Sequence, residues 1–408
     1  MPPVDREAEI DAALRFLLVP GVGLGRLRQL RLACGEFVRA LEADPSVVAA
    51  ALRTDHAEAG RILSAARAAG GLLETERETA RRMGAEFRLL SDANYPELLR
   101  ASPDPPELLF VRGELVADPE PAVAIVGSRR ATAYGCLQAG ALAVALAERG
   151  VTVVSGGARG IDAEAHRGAL RAGGRSIAVL ATGFSHPYPS EHAGLFDSLV
   201  EGGGALLTEQ PSFVTARPDL FPRRNRVIAA LSLVTVVVEA ASRSGALLTA
   251  RIAVDDLSRE AACMPGPVTS PLSAGCHRAI REGWACLVTS ADDVIELLAE
   301  ARTLVAGAQE AAHRARAVHR AAQAARAPAR RRPPSTTARS DAVAAAPTCS
   351  HDAATVLSSV RRLGRAGFDE LERELEWTVP RIATAALELE LRGMVARDAE
   401  GAFRPKSA

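Results

Sequence analysis

The apolar positions along this chain fall into short runs separated by glycine-bearing turns. Val123-Ala124-Ile125-Val126 is one such run, and it turns at Gly127-Ser128-Arg129-Arg130. A helix-spaced set follows (Leu137, Leu142, Val144, Ala145, Leu146) and stops at Gly150. Val151-Thr152-Val153-Val154 then leads into Ser155-Gly156-Gly157-Ala158-Arg159-Gly160-Ile161-Asp162. Strand, glycine turn, helix, strand, glycine turn is the pattern of a βαβ unit in a parallel sheet. Both turns fall at strand C-termini, where open α/β sheets bind ligands.

The same alternation continues to about Leu298. Ile177–Leu180, Ala205–Glu209, Leu233–Ala240 and Ala261–Met264 read as further strands, with helical patterns near Asp162 and from Arg226. The stretch Arg217 to Asn225 reads as a loop. This predicts an α/β fold, a doubly wound parallel sheet over residues 76–300. Residues 76–121 form its lead-in, with short strands at Glu86–Leu90 and Leu108–Val111 and prolines that forbid long helices.

Three segments flank the sheet. Residues 1–75 read as a helical module broken by Pro20-Gly21-Val22-Gly23, a hairpin that resembles a helix-hairpin-helix turn but fits a plain glycine turn between packed helices better. Residues 301–350, rich in Ala, Arg, Pro, Ser and Thr, read as a solvated linker. In residues 351–408 apolar periodicity returns as three helices and a short hairpin, a winged-helix pattern. Its third helix mixes Glu388 and Glu390 with Arg381 and Arg392, which favours a protein-contact or vestigial role over reading a DNA groove.

Charge sharpens the picture. The 408 residues carry 49 cationic and 49 acidic side chains, so no global field announces a polyanion. Lys406 is the only lysine, and the bias towards arginine and alanine makes an isolated surface arginine uninformative. Arginines inside glycine turns or clusters are another matter. Arg129 and Arg159 sit in the two turns, and Phe221-Pro222-Arg223-Arg224-Asn225-Arg226 sets three arginines beside an aromatic ring. Backbone amides at glycine turns and guanidinium forks hold phosphates, and a ring offers a base a stacking face. Asn225 and Arg224 fit a second role equally well, that of locking the loops which present the others.

The six cysteines form no CxxC or Cys/His cluster, which predicts reduced thiols, no zinc site and a cytoplasmic setting. No apolar run has the length of a membrane helix, and the N-terminus lacks a signal-peptide pattern. His166, His186, His192, Asp162, Glu209 and Glu239 share no metal or nucleophile spacing, and His166 four residues after Asp162 reads as a packing or capping pair. The turns match neither GxGxxG nor GxxxxGK[ST], so no cofactor is expected.

Seven blocks in order, VAIVGSRR, VVSGGARGIDAEAHRGAL, LATGFSHPYPSEH, FPRRNRVIAALS, VVVEAASRSGALLTARIAV, MPGPV and REGWACLVTSADDVIELL, resemble the DNA-processing protein A family (DprA, also called Smf). The resemblance is close over residues 85–298. It implies an extended Rossmann domain, an N-terminal sterile-alpha-motif-like module and a C-terminal winged helix. It further implies a non-enzymatic, cytoplasmic homodimer that binds and protects single-stranded DNA and helps load RecA recombinase during natural transformation and recombination. Carried onto this sequence, the DNA pocket comprises Gly127, Ser128, Arg129, Ser155, Gly156, Arg159, Gly160, Phe221, Arg223, Arg224 and Asn225. Gly157 stands where the family usually has leucine, and the lysines that some members use are absent. The rival classes are a small-nucleotide sensor and a phosphoribohydrolase of the LOG type. The latter's PGGxGTxxE block has no counterpart after Glu239, where no glutamate follows the glycine turn.

Overall fold

The structure, a computed structural model, describes residues 5–116, 121–304, 307, 351–375, 377–392, 394–398 and 402–405. Nearly all of the stretch read as a linker lies outside the described residues.

Six helices come first: α1 (Arg6–Leu17), α2 (Leu24–Cys34), α3 (Phe37–Glu42), α4 (Pro45–Leu52), α5 (His56–Ala68) and α6 (Gly70–Arg82). Asp5, Asp44 and Asp55 cap α1, α4 and α5 by accepting from backbone amides of the first turn. The buried Glu9 does the same for α3, accepting from Phe37 N at 2.7 Å and Val38 N at 3.0 Å. The module does not end at residue 75, since α6 runs on to Arg82. Its apolar side chains merge with Leu108, Phe110, Leu180, Phe196 and Leu206 of the sheet layer in one continuous core.

Among the described residues the sheet has nine strands: β1 (Ala85–Leu89), β2 (Leu108–Gly113), β3 (Ala122–Val126), β4 (Thr152–Ser155), β5 (Ser176–Val179), β6 (Ala205–Thr208), β7 (Val234–Val237), β8 (Glu260–Cys263) and β9 (Cys286–Leu287). Their order is β1-β2-β6-β5-β4-β3-β7-β8-β9. The seven strands from β6 to β9 pair in parallel. β2 pairs antiparallel with β6 and β1 antiparallel with β2, so the lead-in strands extend the parallel sheet as a mixed edge. β3 to β7 are buried along their whole length, which is why they read as continuous apolar runs.

The connecting helices are α7 (Glu97–Arg100), α8 (Ala133–Ala147), α9 (Ile161–Arg171), α10 (Ala193–Glu201), α11 (Leu220–Ala230), α12 (Gly245–Arg251), α13 (Ala274–Arg281) and α14 over 291–304. The chain steps from β3 through β4 and β5 to β6, then crosses to β7 on the other flank of β3. That reversal opens a crevice beyond the C-terminal ends of β3 and β7. The helix expected from Arg226 begins instead at Leu220. Pro222 falls in its first turn, where a missing N–H costs nothing, so the arginine cluster is helical and not a loop.

A separate C-terminal unit holds α15 (His351–Leu363), α16 (Phe368–Leu375), α17 (Val379–Leu391) and an antiparallel pair, β10 (Val395–Arg397) with β11 (Phe403–Pro405). It has its own core of Val356, Val360, Leu371, Ile382, Leu389 and Phe403. On α17, Arg381 makes two 2.9 Å bonds to Asp352 and stacks 3.8 Å over Trp377. Arg392 pairs with Glu388.

Candidate nucleic-acid interface

The turn after β3 is held from the neighbouring strand. Ser128 N donates to Glu239 O at 2.8 Å, and the buried Glu239 carboxylate accepts from Thr132 N at 2.9 Å and Thr132 Oγ1 at 2.6 Å. Thr132 in turn caps α8. With the backbone pinned at both ends, Arg129 and Arg130 point outward and are exposed.

The turn after β4 interlocks with the first. Ser155 is fully buried, and its hydroxyl donates to Ile125 O at 2.6 Å. The amides of Gly156 and Ala158 donate to Asp162 Oδ2 at 3.1 and 3.3 Å. Gly160 adopts φ +75°, and a Cβ there would stand 2.3 Å from Ser128 O. Ile161 N reaches the same Ser128 oxygen at 3.2 Å. Arg159 is exposed, paired with Glu191 and 5.7 Å from the centre of the Tyr188 ring.

α11 supplies the third side. The Phe221 ring is half-buried; the Arg129 guanidinium lies 4.5 Å from its centre, and Tyr188 meets it edge-on at 5.5 Å. Arg129, Phe221, Tyr188 and Arg159 thus form one cation–ring chain across the mouth of the site. Arg224 turns inward and is 6% exposed. It donates to Gly156 O at 2.7 Å and to Val179 O. Asn225 Nδ2 donates to Gly245 O at 3.3 Å, tying α11 to the start of α12. Of the two roles open for this pair, both side chains perform the locking one, though each also borders the cavity. Arg226 is held by Glu209 and Asp104. Arg223 is exposed and borders a small crevice beside Thr208 and Gln210, not the main cavity.

These three sides enclose a cavity of about 990 Å³. Gly127, Ser128, Arg129, Phe221, Arg224 and Asn225 line it, whereas Ser155, Gly156, Arg159 and Gly160 support it from behind or beside. Arg130, Arg217 and Arg243 add positive charge to the wall. Ile228 and Leu248 give it apolar area, and among the described residues the one carboxylate that lines it is the hydrogen-bonded Asp162. Burial pushes the Asp162 carboxyl up from its ordinary value, opposed by the Arg224 guanidinium. Burial likewise lowers Arg224 to about 10, which leaves it charged at neutral pH. Tyr188, Arg217 and Arg243 were not among the expected site residues. Arg243 had a legible signal, since it lies in the turn after the clearest strand pattern, Leu233–Ala240, while Tyr188 is brought in only by tertiary packing.

His166 lies outside the site. Its Nδ1 bonds to Ser176 Oγ at 2.8 Å, not to Asp162, and burial lowers its pKa to about 3. Among the described residues no group of acids, histidines and cysteines could hold a metal ion.

Residues 86–299 match the family model of DNA recombination-mediator protein A. The chain belongs to this family. It is 48% identical over 204 residues to Protein Smf of Escherichia coli, covering 50% of this chain and 54% of that protein. With the DNA processing protein DprA of Bacillus subtilis it shares 36% identity over 221 residues, 54% of this chain and 73% of the relative. The chain therefore spans about half the length of the Escherichia coli relative that it matches. The solved structure of DprA from Streptococcus pneumoniae superposes with a TM-score of 0.61 at 30% identity, covering 72% of this chain and 98% of that one. The family match runs from the second residue of β1 through β9, takes in every residue of the cavity wall, and leaves the N-terminal helices and the C-terminal unit outside it.

Proposed function

We propose that this family member binds single-stranded DNA in the β3–β7 crevice and hands it to a RecA-type recombinase, acting as a cytoplasmic homodimer without catalysis of its own. The observation that carries the reading is the cation–ring chain at the cavity mouth. Phosphates need guanidinium groups free to leave solvent, and Arg129, Arg130 and Arg243 have no carboxylate partner among the described residues. Unpaired bases need a ring face with apolar surroundings, which Phe221, Tyr188 and Leu248 supply.

A duplex would bury its bases away from those rings, so the chemistry favours a single strand. A hydrolase would need an acid or base at liberty near the cavity. Asp162 on the cavity wall and Glu239 behind the β3 turn are both engaged as acceptors for backbone amides, and Glu191 and Asp219 at the cavity margin are paired with Arg159 and Arg217. No helix among the described residues is long and apolar enough to cross a membrane. The test is fluorescence anisotropy of a labelled oligothymidine with a matching duplex as competitor. The reading expects binding that the duplex fails to displace and that Arg129→Ala weakens. Displacement by duplex at equal concentration would defeat it.

A further inference from the structure

α6 turns Leu73, Glu76 and Ala80 towards the interior, a spacing that ordinarily carries apolar side chains. Glu76 breaks the stripe. It is 3% exposed, and its Oε1 accepts both the backbone N–H of Ser212 at 2.8 Å and the Ser212 hydroxyl at 2.6 Å. Burying a carboxylate carries a desolvation cost that hydrogen bonds must offset.

Ser212 lies in a hub. Its carbonyl accepts from Ser185 N at 3.1 Å, and Val214 O accepts from Gly183 N at 2.9 Å. A side chain at Gly183 would meet the carbonyl oxygens of Pro211 and Ser212 at 2.0 and 2.4 Å, so the two segments run in backbone contact. One segment continues from Ser185 to Tyr188. The other continues from Val214 to Arg217 and Phe221, both on the cavity wall.

We propose that Glu76, supplied by the N-terminal helical module, is a positioning residue for the nucleic-acid site: it fastens Ser212 and so sets the two segments that carry Tyr188, Arg217 and Phe221. The inference rests on the single-strand reading above. It gives the helical module a task in binding that needs no DNA contact of its own.

The experiment pairs oligothymidine anisotropy with hydrogen–deuterium exchange on the full chain. Glu76→Leu keeps much of the bulk but leaves Ser212 without its acceptor, and Glu76→Gln restores an acceptor. The leucine variant is expected to exchange faster at Gly183, Ser185 and Val214, to keep wild-type protection in β3 and β4, and to bind about tenfold more weakly. The glutamine variant should return both readouts to within about twofold of wild type. Wild-type affinity in Glu76→Leu overturns the proposal, as does faster exchange spread through the whole sheet. If Glu76→Leu does not fold, Ser212→Ala removes the hydroxyl donor alone and must show the same local effects in smaller measure; wild-type affinity there overturns the proposal too. Failure of the wild-type chain to bind oligothymidine strikes the single-strand reading instead. In that event unaltered exchange at those three amides refutes the fastening by Glu76, and accelerated exchange upholds it.

Discussion

Arg223 and Arg224 are neighbours on α11, yet one is exposed and the other buried, and Arg224→Met tests what the buried one holds. Arg224 is buried, bonds the carbonyls of Gly156 and Val179, and is the principal positive charge acting on the buried Asp162. Methionine fills similar space but supplies neither donor nor charge. Each buried carbonyl left without its donor costs about 1–3 kcal/mol, and loss of the positive charge that acts on Asp162 works in the same direction. The cost should depend on pH. Burial already raises the folded-state pKa of Asp162, and without Arg224 the rise grows. A raised folded pKa means that the native state holds the proton more tightly than the unfolded chain does. Its stabilising effect is therefore present at low pH and is lost as pH rises through the folded value. The Arg224→Met deficit should be largest at neutral pH and above, and narrow as pH falls towards the ordinary aspartate value of about 4. Urea unfolding at several pH values reads this directly, with Arg223→Ala as the exposed control expected to stay within about 0.5 kcal/mol of wild type. A deficit below about 1 kcal/mol, or one that does not change with pH, would refute the buried-lock account of Arg224.

Three further outcomes follow from particular contacts. Gly160→Ala places a methyl group against Ser128 O at a positive φ, so it should lower stability by about 2 kcal/mol or more and loosen both turns, read by thermal unfolding. Phe221→Ala should weaken oligothymidine binding by about 1–3 kcal/mol with little change in salt dependence, whereas Arg129→Ala should reduce the salt slope by about 0.7; equal slopes for both variants would undo the division between stacking and phosphate contact. His166, lowered to about 3 by burial, contributes stability that is complete above about 6.5 and is lost as pH falls through its folded value. His166→Gln should flatten that acid limb in denaturation curves while leaving oligothymidine affinity unchanged.

The sheet was legible because its central strands are buried on both faces and so appear as mainly apolar runs, those of β3 and β4 leading straight into glycine turns. The two turns were legible for the same reason, since close approach of Gly160 to Ser128 demands a residue without Cβ. Strand direction was not. Nothing in the apolar pattern of Leu108 to Val111 distinguishes an antiparallel edge from another parallel strand. The start of α11 was hidden by Pro222, which reads as a breaker unless the first turn is already placed. Arg224 was ambiguous because arginine is seldom buried, and its partner carbonyl at Gly156 is 68 residues distant in the chain. Glu76 carries no local signal for a matching reason: its partner, Ser212, is 136 residues away. Local pattern fixed the elements, while long-range polar contacts decided which charged side chains are tools and which are fasteners.

The central claim is that free guanidinium groups at the cavity mouth hold the phosphates of a single strand. Its most direct test is the slope of log affinity against log salt for oligothymidine, measured for the wild type and for Arg129→Ala/Arg243→Ala. With Arg129, Arg130 and Arg243 each neutralising one phosphate, the wild-type slope should be about −2, and the double variant should lose about 1.4 of it. A wild-type slope near zero, or an unchanged slope in the double variant, would contradict the account.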